Sequence, residues 1–179
     1  MKGIVFTEFL EHVETSFGLD MVQNIIDVCD LPHGGAYTSV GTYPCEEMGQ
    51  LVGALAKLSG ADPKALLKGF GERLGATFHK AYPQYFDVSG YFDFVESVDA
   101  HIHVEVKKLY PDAELPKFES VSRDEKSLVL DYISSRGLED LAAGLLLATA
   151  SVFDESISIR SDVRENVSER TVRFTLERC

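Results

Sequence analysis

Two of the five histidines in the chain, His101 and His103, lie in a long segment whose apolar residues follow helical spacing. Neutral imidazole is a good ligand for iron and other transition metals. On an ideal helix these two residues point roughly 200° apart around the axis, so they do not readily bind one metal ion together. A haem needs only one axial nitrogen beside an apolar slot, which this segment could supply. A histidine that is simply packed or solvated also fits the pattern and is the commoner outcome.

A second group of polar residues, Tyr132, Ser134 and Arg136, is spaced by two in a segment that alternates like a strand. Side chains spaced by two on a strand point to one face. Two hydroxyl donors and a guanidinium suit a carboxylate or phosphate at the edge of an apolar pocket. A haem has this anatomy, because two propionates extend from an apolar macrocycle. The same string also fits a solvated strand end, so both interpretations stay open.

Elements with helical spacing must position the histidines, and they fill the first two-thirds of the chain. Glycine marks the ends of two predicted helices, at Gly18 and Gly60. Asp62 followed by Pro63 supplies an N-cap and a proline at the first helical position. The last of these helices carries His103. The predicted helices cover residues 5–17, 19–29, 46–58, 63 towards 83, and 91–110.

Beyond Pro116 the apolar residues change from helical spacing to alternation, which is typical of strands. Strict alternation near the carboxy terminus, around a polar turn, indicates an antiparallel hairpin that closes the fold. The predicted elements are strands at 117–121 and 127–136, a helix at 137–153, and a hairpin of 156–160 with 171–176.

Together these elements predict an α+β fold. A helical amino-terminal subdomain is expected to precede a carboxy-terminal subdomain that combines a small antiparallel sheet with helices. One domain is expected over residues 1–179, with two lobes at about 1–60 and 61–179 and a ligand between them.

Acidic residues outnumber basic ones, and the formal net charge is −12. A chain of this charge repels phosphate backbones and anionic membrane surfaces unless a local basic strip overcomes the overall field. The strongest such candidate is Lys107 with Lys108, and two lysines are too few. Binding to nucleic acid or to a membrane is therefore not expected.

The three cysteines, Cys29, Cys45 and Cys179, have neither the even count of a disulfide framework nor the spacing of a zinc site. The opening MKGIVFTEFLEHVE is interrupted by Glu8 and Glu11 before a signal-peptide core can develop. No stretch approaches the roughly 20 apolar residues that span a bilayer. These features predict a cytoplasmic protein.

Three separate segments resemble the H-NOX family, the haem domains of bacterial gas sensors and of soluble guanylate cyclase. They are the opening MKGIVF, the helix end HIHVEVKKLYPDAELP, and YISSR followed by GLEDLAAGLL. The similarity spans practically the whole chain, and the motifs have the family's order and spacing. The resemblance implies a sensor domain, not an enzyme, with a haem between its two parts.

The resemblance also implies roles for single residues. His103 matches the family's proximal histidine, the protein ligand of the haem iron. Tyr132, Ser134 and Arg136 match the residues that hold the propionates of haem b. Pro116 matches the proline that presses on the porphyrin and distorts it, which is one way to tune haem iron.

Gas preference follows from the opposite, distal side of the haem. Members that hold oxygen have a tyrosine where this chain has Leu141, and the supporting positions match Phe9 and Leu74. Bound dioxygen gains from a hydrogen bond, whereas nitric oxide binds ferrous iron strongly without one. The resemblance therefore predicts a sensor of nitric oxide that also binds carbon monoxide. The predicted distal wall consists of Val5, Phe9, Leu74, Phe78, Leu141 and Leu145.

The family's signalling mechanism implies that nitric oxide weakens the bond to His103 and that the helical lobe then shifts. The expected partner is a separate histidine kinase or cyclic-di-GMP enzyme. Some relatives carry a cysteine-rich zinc site near the carboxy terminus. This chain departs from them, because Cys179 is the last residue and no other cysteine follows Cys45. No structural zinc is expected.

Three alternatives remain. The chain could be an oxygen-binding member of the same family, or a haem-free module that binds a carboxylate through Arg136. It could also be a metal-dependent catalyst that uses His101 or His103 with Asp99 or Glu105. The catalyst is the weakest alternative, because the sequence contains neither a G-x-S-x-G elbow nor an H-E-x-x-H helix.

Overall fold

The computed structural model describes residues 1–164 and 169–179. Helices fill the chain up to the first strand, and one further helix lies between the second and third strands of a four-stranded antiparallel sheet. The predicted α+β class is confirmed. The chain forms two compact units, residues 1–70 and 71–179. The helices are α1 (Gly3–Phe17), α2 (Leu19–Asp27), α3 (Cys45–Ser59), α4 (Pro63–Ala81), α5 (Tyr91–Ser97), α6 (His103–Leu109) and α7 (Glu139–Val152), and a 3₁₀ turn covers Pro83–Phe86.

The helix ends follow the predicted signals. Gly18 has φ 89° and its N–H donates to the carbonyl of Glu14, which ends α1. Gly60, in the left-handed region, ends α3 in the same way. The carboxylate of Asp62 accepts a 3.1 Å hydrogen bond from the N–H of Ala65 and caps α4. None of the helices in residues 1–164 and 169–179 combines the length with the apolar character that a membrane-spanning segment requires.

In the first unit, the loop between α2 and α3 is tied to the start of α1. Gly3 lies so close to this loop that a Cβ atom there would be 1.9 Å from the Thr38 carbonyl oxygen. The buried carboxylate of Glu47 accepts a 2.7 Å hydrogen bond from the Tyr37 hydroxyl and contacts His33 Nδ1 at 3.1 Å. Burial of the Tyr37 hydroxyl, and after it the hydrogen bond to Glu47 and the charge of Glu47, raise the pKa of Tyr37.

In the second unit, the helix predicted over 91–110 is not a continuous α-helix. A π-helical segment, Val98–Ile102, separates α5 from α6. The backbone N–H of His103 donates to the carbonyl of Val98, five residues back, instead of four. Apolar spacing does not reveal one extra residue in a turn, so the prediction of uninterrupted α-helix is wrong here.

The sheet has the order β1-β2-β4-β3, with every neighbouring pair antiparallel. The predicted antiparallel pairing of the closing hairpin is confirmed by β3 and β4, and part of its predicted polar turn, 165–168, lies outside the described residues. One face of β2 packs into the core through Leu128, Leu130 and Tyr132. On the other face, Asp131 lies opposite Arg173 of β4 and accepts two 2.8 Å hydrogen bonds from its guanidinium. The strands are β1 (Lys117–Arg123), β2 (Ser127–Ile133), β3 (Ile157–Arg164) and β4 (Thr171–Arg178).

Candidate functional site

His103 is the first residue of α6 and directly follows the π-helical segment. Its side chain is 15% exposed, whereas His101 is an exposed residue. His103 Nδ1 lies 3.0 Å from a carboxylate oxygen of Asp99. A carboxylate only accepts, so this contact makes Nδ1 the donor and leaves the lone pair on Nε2. The arrangement therefore presents one imidazole nitrogen as a metal ligand.

Aromatic rings connect His103 to the predicted polar row. The centroid of the Phe118 ring lies 6.1 Å from that of His103 and 5.4 Å from that of Tyr132. Phe118 and Tyr132 are direct partners in the register of β1 and β2. Tyr132 is 4% exposed and its ring also packs on Phe174. The fold thus brings His103 and Tyr132 against the same phenylalanine, although they are far apart in sequence.

The strand predicted over 127–136 is wrong at its carboxyl end, because β2 ends at Ile133. The N–H of Ser134 still donates to the carbonyl of Arg170, but the chain then turns. The N–H of Arg136 donates to the Ser134 hydroxyl at 3.3 Å. A serine at a strand end often bonds the backbone two residues on, and this local bond replaces the ladder. Alternation therefore does not place Ser134 and Arg136 on the face of Tyr132.

Ser134 and Arg136 nevertheless line one cleft together with Pro116. The cleft has a volume of about 540 Å³ and combines cationic side chains with carboxylates. Three of the residues assigned to the haem periphery thus lie together, although two of them lie beyond the end of β2. The lining consists of Glu114, Leu115, Pro116, Lys117, Ile133, Ser134, Ser135, Arg136, Glu169 and Arg170.

The guanidinium of Arg136 already holds a carboxylate in this cleft. Its Nη2 donates a 2.8 Å hydrogen bond to Glu114, and the Arg136 side chain is only 15% exposed. The hydrogen bond from Arg136 lowers the pKa of Glu114. The Glu114 side chain is 85% exposed, so water can solvate its carboxylate when Arg136 takes another partner.

The sequence gives no indication of a second arginine at this cleft. Arg170 precedes β4 and donates to the carboxylate of Glu139 at the start of α7. This hydrogen bond, and to a smaller extent the phenol of Tyr132, raise the pKa of Arg170. Only the pairing of β2 with β4 brings Arg170 to Ser134, so spacing within one segment could not identify it.

The residues of the predicted distal wall belong to both units. In the first unit, Phe9 is fully buried on α1 and its ring meets Phe70 edge-on, with centroids 5.2 Å apart. Val5, one turn earlier, is half-buried. Both positions carry only hydrocarbon side chains.

In the second unit, α4 and α7 approach closely. A Cβ atom on Gly71 would lie 2.2 Å from the carbonyl oxygen of Leu141, so only glycine permits this contact. Leu74 is 2% exposed and Leu141 is 8% exposed. Leu145 and Phe78 are half-buried on the same two helices. These four distal-wall residues offer no hydroxyl or amide to a small ligand.

The residues present fit both the iron and the carboxylates of a haem group. His103 offers one nitrogen for an iron atom, and Arg136 offers a guanidinium for carboxylates. The Glu114 carboxylate is the same chemical group as a propionate, so Arg136 binds a group of that kind in this structure. A donor set of one imidazole near the partly buried ring of Phe118 and one arginine in a cleft suits a large apolar molecule that carries iron and acidic groups.

Residues 2–161 match the family described as Haem-NO-binding. The chain belongs to the H-NOX family. This confirms the resemblance carried by the three sequence motifs. As a member of this family the chain is a haem-based gas-sensor domain and not a catalytic domain.

Solved structures of H-NOX proteins have the same fold over the whole chain. The H-NOX protein from K. algicida in its Fe(II) unliganded state is 38% identical, with a TM-score of 0.93, and the match covers 100% of this chain and 97% of that one. The H-NOX from Shewanella woodyi in its Fe(II)CO ligation state is 36% identical, with a TM-score of 0.83, and the match covers 100% of this chain and 95% of that one.

Among curated proteins, the H-NOX chain is similar to soluble guanylate cyclase 89Da of Drosophila melanogaster. The two are 25% identical over 157 residues, which is 86% of this chain and 23% of the relative. Soluble guanylate cyclase 89Db of the same organism is 24% identical over the same shares. The chain therefore spans about a quarter of the length of these relatives.

Proposed function

We propose that this H-NOX domain binds haem b with Nε2 of His103 as the iron ligand and that it senses nitric oxide. The observation that carries the proposal is the state of His103, which is largely buried and has its other ring nitrogen on Asp99. When bound, the haem supplies a ferrous iron that takes up a diatomic gas. His103 fixes the position of that iron relative to α6.

The acidic groups of the cofactor are assigned to Arg136, Ser134 and Tyr132. Arg136 can exchange its exposed partner Glu114 for a propionate, because both are carboxylates. The Ser134 hydroxyl accepts a bond from the N–H of Arg136 and still has its own proton to donate. Pro116 lines the same cleft, which supports its assignment as the residue that presses on the porphyrin.

In this proposal, the preference for nitric oxide over oxygen follows from the side chains of the residues assigned to the distal side. They are Val5, Phe9, Leu74, Phe78, Leu141 and Leu145. A ligand that acquires negative charge needs a hydrogen-bond donor, and these side chains have none. Carbon monoxide is a second expected ligand. Support for it comes from the Shewanella woodyi relative, which was solved in the Fe(II)CO ligation state.

Signalling in this proposal depends on His103. His103 would tie α6 to the bound cofactor, and a gas ligand that weakened this tie would free α6 to move. A partner responds only if it binds the two states with different affinity. We assign that role to a separate histidine kinase or cyclic-di-GMP enzyme.

Free thiols at Cys29, Cys45 and Cys179 support a location in the cytoplasm.

Absorption spectroscopy of the purified ferrous protein tests this proposal. The Soret band should shift when nitric oxide or carbon monoxide is added and should stay unchanged in air. A His103→Gly variant should lose the wild-type spectrum, whereas His101→Gly, at an exposed position in the π-helical segment before α6, should keep it. A band that shifts in air, or a His103→Gly spectrum identical to that of the wild type, would overturn the assignment.

Arg136 also supports a second candidate, a haem-free module that binds a long-chain carboxylate. The carboxylate of Glu114 on Arg136 is equally consistent with that ligand class. Metal analysis separates the two candidates after expression with a haem supply. The haem sensor requires nearly one iron per chain, whereas the haem-free module retains none.

A further inference from the structure

We propose that Asp99 is a positioning residue that strengthens the hold of His103 on iron and slows its release when nitric oxide binds. The inference rests on the proposed function, because it presumes that His103 is the ligand. It assigns to Asp99 a share in the sensitivity of the sensor.

The geometry fixes the protonation of the imidazole. Asp99 Oδ1 lies 3.0 Å from His103 Nδ1, and the carboxylate can only accept. The proton of a neutral His103 therefore lies on Nδ1, and Nε2 keeps the lone pair that a metal needs. Without Asp99, either nitrogen could carry the proton, and the ring could rotate.

In the part of the chain that the structure describes, no lysine or arginine forms an ion pair with Asp99. Carboxylates in the two flanking helices have basic partners: Glu105 of α6 pairs with Lys108, and Glu96 of α5 pairs with Arg123. Within residues 1–164 and 169–179, the ion-pair contact of Asp99 is with His103. Its negative charge therefore acts on the imidazole, and a charged acceptor raises the donor strength of the opposite ring nitrogen.

Backbone and packing hold the two side chains in register. Asp99 lies inside the π-helical segment, and the N–H of His103 bonds to the carbonyl of Val98. Single π turns are rare and occur often at functional sites. The ring of Phe118 lies 6.1 Å from that of His103. The imidazole is thus held by a carboxylate on its own helix and neighbours a ring on β1.

Resonance Raman spectroscopy of the ferrous haem-loaded protein tests the proposal through the iron–histidine stretching frequency. The frequency should fall in Asp99→Asn, which keeps the size and removes the charge, and fall further in Asp99→Ala. Glu105→Gln is the matched control and should leave it unchanged. Stopped-flow spectroscopy should show that nitric oxide releases His103 about 10-fold faster or more in Asp99→Ala, the usual scale for loss of such a partner.

The outcomes separate this inference from the proposed function. If His103→Gly abolishes the wild-type band but both Asp99 variants keep its frequency and release rate, the inference is overturned and the proposed function stands. If the wild type shows no iron–histidine band, the proposed function fails, and the inference fails with it. Asparagine is close in shape to aspartate. If the alanine variant does not fold, the stretching frequency and the release rate are therefore measured in Asp99→Asn alone.

Discussion

Arg136 donates a 2.8 Å hydrogen bond to Glu114, and the two side chains differ sharply in exposure, at 15% and 85%. The arginine is therefore fixed by the fold, whereas its carboxylate partner extends into water. An exposed carboxylate loses little when it returns to solvent, because surface ion pairs contribute little to stability. The pair thus shows a built carboxylate-binding position whose present occupant is exchangeable.

Replacement of Arg136 by alanine should weaken haem retention. A charge-assisted hydrogen bond in a partly buried site contributes on the order of 1.5–3 kcal/mol, so haem should be lost about 10- to 100-fold faster. The rate is measured as transfer of haem to an excess of a high-affinity scavenger protein. Arg160→Ala is the control, because Arg160 is an exposed arginine paired with Glu177. Equal rates in the two variants would remove Arg136 from the haem site.

Substitution of Glu114 by glutamine should speed haem uptake by a few-fold. The variant removes the carboxylate that competes for Arg136 but keeps the side-chain length. Uptake is followed by the Soret absorbance after haem is mixed with the haem-free protein. Glu119→Gln, an exposed position on β1, supplies the control. Slower uptake in the Glu114 variant would mean that Glu114 helps to bind haem and does not compete with it.

A tyrosine at Leu141 should introduce weak oxygen binding. The hydroxyl would be the first donor on the predicted distal wall, and bound oxygen gains from a hydrogen bond. Oxygen affinity is measured by titration of the ferrous protein. Leu141→Phe adds a ring of the same size without the hydroxyl and separates the donor from the bulk. If tyrosine and phenylalanine give the same affinity, Leu141 does not face the gas.

Acid should abolish the stabilisation that Asp131 provides between β2 and β4. Hydrogen bonds from Arg173 lower the pKa of Asp131 in the folded state. A carboxyl with a lowered folded-state pKa stabilises the fold above its ordinary value, and this contribution is lost as the pH falls through the lowered value. Asp131→Asn should therefore lower Tm by roughly 2–4 °C at pH 7.

The difference in Tm between the wild type and Asp131→Asn should shrink as the pH drops below about 4. Thermal unfolding at pH 7 and pH 3 measures it. Asp162→Asn is the control, since Asp162 is an exposed residue of β3 that lies opposite Arg173 of β4. A difference that grows on acidification would show that the sign of the pKa shift is wrong.

Sequence patterns were reliable where the physical cause is local. A glycine in the left-handed region stops a helix wherever it stands, so Gly18 and Gly60 gave correct ends for α1 and α3. Strict alternation predicts the pairing of β3 with β4, because one face of β4 and the first part of β3, at Ile157 and Ile159, pack in the core. The family was identified from motifs that are spread over the whole chain.

The contacts that define the site depend on side-chain bonds and on residues far apart in the sequence. Local sequence patterns therefore could not predict them. Nothing in apolar spacing distinguishes the π turn before His103 from an α-helical turn. Alternation predicts a strand past Ile133, because Ser134 and Arg136 continue the pattern, whereas a local bond between these two residues turns the chain. Glu114 reaches Arg136 across 22 residues, so its role required the three-dimensional structure.

The bond from His103 to iron is the central claim, and chemical rescue of His103→Gly tests it most directly. The variant is loaded with haem, and its ferrous spectrum is recorded before and after imidazole is added. The account predicts that the glycine variant loses the wild-type spectrum and that free imidazole restores it by occupying the vacated position. A glycine variant that keeps the wild-type spectrum without imidazole would contradict the account.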